Sequence, residues 1–190
     1  MSVIRKTGFT LIELIVGIVI FAVAMTAFIS FLVPQVQRSA NPHYQARAAA
    51  LGQSFMNEIL SKGYDESSDH NGGIVRCDSS DDGSVACAGA TGPDTESGVT
   101  ETIGAYNDVD DYIGCWYTSA NRPTDCNTAG GGNLSDVFGT DMSADYANFR
   151  VEVSVVERLE NGLSQFKQVD MLVIGSNAAR LEFTAERGNY

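Results

Sequence analysis

Lys6-Thr7-Gly8-Phe9-Thr10-Leu11-Ile12-Glu13 is the stretch that decides the reading of this chain, because residues 14–33 then follow without a single charge. A bilayer span takes about 20 apolar residues, roughly 30 Å of helix at 1.5 Å per residue, and residues 14–33 supply that. A carboxylate at the edge of such a run is costly to bury, so Glu13 calls for a partner and a task. Arg5 and Lys6, on the other side of the junction, favour the cytoplasm and direct everything after the span outward.

An ordinary secretory signal carries its apolar core first and its small residues at the cut. Here the polar leader comes first and the apolar run follows the glycine. The junction resembles the class III signal of the type IV prepilin and pseudopilin superfamily, with Gly8, Phe9, Thr10, Leu11, Ile12 and Glu13 all in register. A plain uncleaved signal anchor, the other reading, has no reason to keep that register. The resemblance implies that a prepilin peptidase cuts after Gly8 and N-methylates Phe9, which makes Glu13 the fifth residue of the mature chain. It implies too that Glu13 neutralises the terminal amine of a neighbouring subunit when the spans pack into a filament. The partners so implied are the prepilin peptidase, other pilin subunits through the N-terminal helix, and the inner membrane before assembly. The implied location is a single inner-membrane pass with a periplasmic C-terminus, then a pilus filament outside the cell.

Beyond the span, Pro34 and Pro42 predict a kink or short break each, since proline removes a helical donor and crowds the preceding turn. Tyr44, Ala48, Leu51, Phe55 and Ile59 then recur at helical spacing, widened by Met56 and Leu60, while Gln45, Arg47, Gln53, Asn57 and Lys62 fall on the other side. That is an amphipathic helix with one face to cover. Gly63 stands where a left-handed cap would end it.

Residues 64–146 are rich in Gly, Asp, Ser, Thr and Asn and predict irregular loops with short strands at most, such as 113–118. Gly130-Gly131-Gly132 reads as a flexible link, and no lysine follows it to make a phosphate loop. From Phe149 the pattern changes. Val151, Val153 and Val155 alternate with polar residues, Asn161-Gly162 is a hairpin signal, and residues 166–174 and 179–185 follow as further strands. The fold class is therefore α+β: a long N-terminal helix, membrane-spanning in its first half, packed on a C-terminal antiparallel sheet of at least three strands. The expected organisation is a leader (1–8), the long helix (9–62) and a head (63–190). The head comprises a disulfide-rich loop region (63–146) and the strands (147–190).

The formal charge of the 190-residue chain is −12, and loss of Arg5 and Lys6 with the leader makes it −14. Sixteen acids in residues 63–146 face only Arg76 and Arg122, so the head repels phosphate backbones and nucleic acid is not an expected partner. Cys77, Cys87, Cys115 and Cys126 all lie on the outward side, where an even count reads as two disulfides with three possible connectivities. Sequence neighbours suggest Cys77 with Cys87 and Cys115 with Cys126. A zinc site has no Cys-x-x-Cys pair to start from, and neither His43 nor His70 is spaced to complete one.

No enzyme constellation stands out, and no cofactor or metal is expected. Asp78, Ser80, Asp82 and Gly83 fit the start of a calcium loop, but Gly89 stands where its closing glutamate belongs. That loop and the second acidic run, 107–111, both read as solvated. Finally, residues 51–66, 107–112 and 187–190 are similar to blocks in minor pilins of the mannose-sensitive haemagglutinin pilus system, and residues 67–102 find no such counterpart. The resemblance implies a structural role in pilus assembly. A type II secretion pseudopilin, which carries the same N-terminal signal, and a tip-exposed adhesive subunit are the alternatives.

Overall fold

A computed structural model describes residues 8, 10–69, 75–96, 98–136, 138–160, 162–175 and 179–189, with only the backbone at 37–41, 96, 160 and 164. Arg5, Lys6, Phe9, His70 and Asn161 lie outside the described residues. Helix α1 runs Leu11–Ser61 and keeps both Pro34 and Pro42 inside it, so neither proline breaks it as proline chemistry predicts. Each removes one rung of the ladder, at the carbonyls of Ser30 and Arg38, and the rungs on either side persist. The chain divides into two compact units, Met1–Pro42 and His43–Tyr190.

In the second unit the helical stripe buries Ala48, Leu51, Phe55, Met56 and Ile59. They share one core with Val151, Val153 and Val155 of β4 (Arg150–Glu160) and Val169, Met171 and Val173 of β5 (Leu163–Ile174). Gly52 sits in this helix despite a propensity cost of about 1 kcal/mol relative to alanine. The reason is close approach: a Cβ there would stand 2.6 Å from Cζ of Phe183 and 3.0 Å from Cγ2 of Val173.

The helix does not end on a left-handed Gly63. Its last turn tightens through Lys62 N–H to the Ile59 carbonyl, and Gly63 then pairs in extended fashion with 107–109. Gly63 N–H donates to the Asn107 carbonyl at 2.8 Å and Val109 N–H to the Gly63 carbonyl at 3.2 Å. A backbone partner across the fold thus does the work a local cap would have done.

The main sheet is antiparallel in the order β3-β4-β5-β6, where β3 is Gly114–Tyr117 and β6 is Arg180–Gly188. Thr95–Glu96 (β1) and Val99–Thr100 (β2) form a separate small hairpin. The alternation of β4 puts Val151, Val153 and Val155 inward and Ser154 and Val156 outward, and Gly162 takes φ 81° in the β4–β5 turn. Sheet register shifts once, at Arg158/Leu159.

Glycines 130–132 are not a flexible link. Gly130 and Gly131 adopt φ of 84° and 77°, their backbone lies against Gly114 and Cys115, and Cys115 N–H and Tyr117 N–H donate to the carbonyls of Gly130 and Gly132. Without side chains the two backbones come closer than any Cβ would permit.

Candidate functional site

The N-terminal stretch is built from a cap outward. Gly8 is exposed and not helical, and Thr10 precedes the first helical residue, Leu11. Glu13 N–H donates to Thr10 Oγ1 at 3.4 Å and Leu14 N–H to the Thr10 carbonyl at 3.2 Å. Thr10 therefore caps the helix, and Thr10-Leu11-Ile12-Glu13 has the spacing of a capping box. That spacing is legible in the sequence itself, where the charge of Glu13 is the more conspicuous signal. An acidic side chain in the first turn also sits favourably against the helix dipole, worth about 0.3–1 kcal/mol.

Residues Leu11–Val36 form one helical segment long and apolar enough to cross a membrane, and none of its side chains is buried within the chain. Its two hydroxyl side chains are satisfied locally: Thr26 Oγ1 donates to the Val23 carbonyl at 2.9 Å and Ser30 Oγ to the Thr26 carbonyl at 2.8 Å. The segment thus offers a nearly pure hydrocarbon surface, with Glu13 exposed at its start. Chemically it can insert in lipid or pack against a like helix, and it holds one carboxylate ready for a cation.

In the head, Cys77 joins Cys87 and Cys115 joins Cys126, with Cα separations of 4.9 and 5.9 Å. The first bridge is fastened from both sides. Asn189 Nδ2 donates to the Cys77 carbonyl at 2.9 Å, and Ser68 Oγ accepts from Cys77 N–H while donating to Asn189 Oδ1. Around the second, the Arg122 guanidinium clamps the carbonyls of Thr128 and Gly130.

The two acidic runs differ from one another. Ser80 and Asp82 are exposed, and it is Asp81 that pairs with Arg76, at 2.9 Å; that pairing holds the Asp81 carboxyl well below the usual range. The run 107–111 is no solvated loop: Asp108, Asp110 and Asp111 are all buried. Their oxygens fold the turn, Asp108 Oδ1 accepting from the amides of Asp110 and Asp111, and Asp111 Oδ2 from those of Asn107 and Asp108. The 3-10 turn Asp110–Tyr112 that results delivers Asp110 to a buried Lys167, which also pairs with Asp65 at 2.8 Å. Sequence reasoning missed Lys167, although it shares parity with Val169, Met171 and Val173 on the inward face of β5. Tyr112 donates its hydroxyl to Glu58 at 3.2 Å, and burial with that carboxylate pushes the phenol far above its ordinary range.

Residues 4–29 match the family model of the prokaryotic N-terminal methylation motif. The match covers 26 of the 190 residues and supports a type IV pilin-like methylation signal in this N-terminal stretch. Together with the apolar helix Leu11–Val36, the motif fits anchoring in an inner membrane. No curated protein and no solved structure matches the chain.

Proposed function

We propose that this chain is a minor pilin, similar in residues 51–66, 107–112 and 187–190 to the D-type biogenesis component of the mannose-sensitive haemagglutinin pilus, and that its role is structural rather than enzymatic. Prepilin peptidase removes residues 1–8 after Gly8 and methylates the amine of Phe9; the remainder is stored in the inner membrane with its head in the periplasm and is then drawn into a filament. The observation that carries the reading is the Gly8–Glu13 junction on a capped helix whose next 23 residues, through Val36, suit lipid. In the filament the exposed Glu13 carboxylate meets the terminal amine of a neighbour and sets the register of the packed spans, since an unpaired charge among apolar helices is expensive. Replacing Glu13 by Gln keeps shape and removes charge. The variant should still be processed but enter pili at a small fraction of the wild-type level, and wild-type incorporation would remove Glu13 from this role.

A type II secretion pseudopilin shares every step of this scheme, and neighbouring genes, for a haemagglutinin pilus or for a secretion system, separate the two. One observation favours a tip-exposed binding role: a hollow of about 200 Å³ beside the helix is lined by Leu51, Phe55, Ile103, Met142 and Phe138, the last 87% exposed. Phe138→Ser leaving pili intact but abolishing surface attachment would support that role.

A further inference from the structure

Lys167 is wholly buried, and its ammonium donates to Asp65 Oδ2 at 2.8 Å and to Asp110 Oδ2, with the Tyr64 ring centroid 4.7 Å away. The cluster ties three places together: the segment that leaves helix α1, the 3-10 turn, and strand β5. Asp65, Asp108, Asp110 and Asp111 are each 3% exposed or less, and among the described residues Lys167 is the buried ammonium beside them. Further charges stand around it: Glu66 and Asp94 each bring a carboxylate oxygen within 4.8 Å of one from Asp108, and Arg187 lies opposite Lys167 in the β5–β6 register.

The two partners of Lys167 are supported unequally. Asp65 also accepts from the amides of Ser67, Ala88 and Gly89, so as an anion it is well solvated by the protein. Asp110 has Lys167 on Oδ2 only; its Oδ1 is buried and accepts no hydrogen bond. A buried carboxylate with one bare oxygen is a poor anion, and a proton on that oxygen removes the charge while leaving Oδ2 to accept from Lys167.

We propose that the Lys167 cluster is a proton-operated latch, closed while Asp110 carries a proton on Oδ1 and loosened when that proton leaves, so that alkalinity releases the 3-10 turn from β5. Titration tendencies agree with the geometry. Burial pushes Asp110 up to about 8 despite Lys167, and burial with the charge of Asp111 pushes Asp108 up to about 6. Burial acts on Asp65 too, but the Ala88 amide and Lys167 outweigh it and hold that carboxyl low. Burial works against the charge of Lys167, yet Asp110 and Asp65 more than offset it and its value rises.

The sign follows from which state holds the proton. A carboxyl raised from 3.8 to about 8 binds a proton when folded that it lacks when unfolded, so the stability it contributes falls as pH rises through that window. The stability from Lys167 is lost only above the ordinary lysine value of 10.5, and that from Asp65 only on the acid side of 3.8. The loss from Asp110 therefore runs from 3.8 up to about 8 and levels off above it, and on the alkaline side of about 6, where Asp108 adds no further change, Asp110 is the group of this cluster that moves.

The test uses the full mature chain in detergent micelles, with aspartate carboxyl carbons labelled and followed by NMR from about pH 4 to 9. One aspartate should titrate with a midpoint above about 7, and its signal should vanish in Asp110→Asn. If every aspartate titrates below about 5, or the highest belongs to another residue, the latch is refuted. Amide exchange supplies the second readout, corrected for intrinsic base catalysis. Opening at Asp110–Tyr112 should rise on the order of tenfold from about pH 6.5 to 9 in the wild type and stay nearly flat in Asp110→Asn. Equal rises in both would overturn the proposal, and the wild-type titration decides alone if the variant does not fold.

Discussion

Replacing Lys167 by Met preserves the length and apolar stem of the side chain and removes only the ammonium. Asp65 then loses a 2.8 Å contact but keeps the amides of Ser67 at 3.0 Å and Ala88 at 3.0 Å. Asp110 loses the donor on Oδ2 while Oδ1 already accepts nothing. Removing one partner of a buried pair costs about 3–5 kcal/mol, and the amides on Asp65 place this case near about 3 kcal/mol at neutral pH. At roughly 2–4 °C per kcal/mol for a domain of this size, Tm should fall by about 6–12 °C. The loss should also depend on pH. Without the cation both carboxyls titrate higher in the folded state, so the stability of the variant declines as pH rises from the ordinary carboxylate value of 3.8, whereas Asp65 in the wild type, held low, adds no such decline. The gap between the two proteins is thus smallest near about pH 5 and widens toward about pH 8. Urea unfolding of the full chain in micelles, followed by fluorescence, reads this out through the only tryptophan, Trp116, which is buried and donates its indole N–H to the Tyr112 carbonyl at 2.9 Å. A variant within about 1 kcal/mol of wild type, with no widening, would mean that Lys167 does not hold these carboxylates.

Leu51→Ala, at a fully buried position of the helical stripe, should cost about 2–5 kcal/mol in the same unfolding assay, while exposed Ser54→Ala one turn on should stay within about 0.5 kcal/mol. Gly114→Ala should prevent the loop from closing, because the new Cβ would stand 2.6 Å from the Gly131 Cα and 2.8 Å from the Gly130 carbonyl carbon at a φ of 153°. Thiol titration should then find Cys115 and Cys126 free in a large share of the protein; complete pairing at wild-type yield would contradict the packing.

What could be read from the sequence was what is local. The helical stripe from Ala48 to Ile59 and the alternating valines of β4 each bury a face at fixed spacing, so their pattern betrays the core they share. The N-terminal junction is contiguous, and its capping residue, its acid and its apolar run are all visible in one line of sequence. What stayed hidden depends on distant partners. Asp65 and Asp110 reach Lys167 across 102 and 57 residues, and an acidic run looks solvated until the cation that buries it is known. Gly63 looks like a helix cap because its true partners, Asn107 and Val109, lie far along the chain. Glycines 130–132 look flexible for the same reason, since the strand they lie against is some fifteen residues earlier.

If this chain is cut and methylated to become a pilus subunit, intact-mass spectrometry of the native protein will read both changes at once. Protein from cells with an active prepilin peptidase should begin at Phe9 and carry one extra methyl group on its terminal amine, whereas cells lacking the peptidase should retain Met1. A chain that keeps Met1–Gly8 in the presence of the active peptidase would contradict the claim.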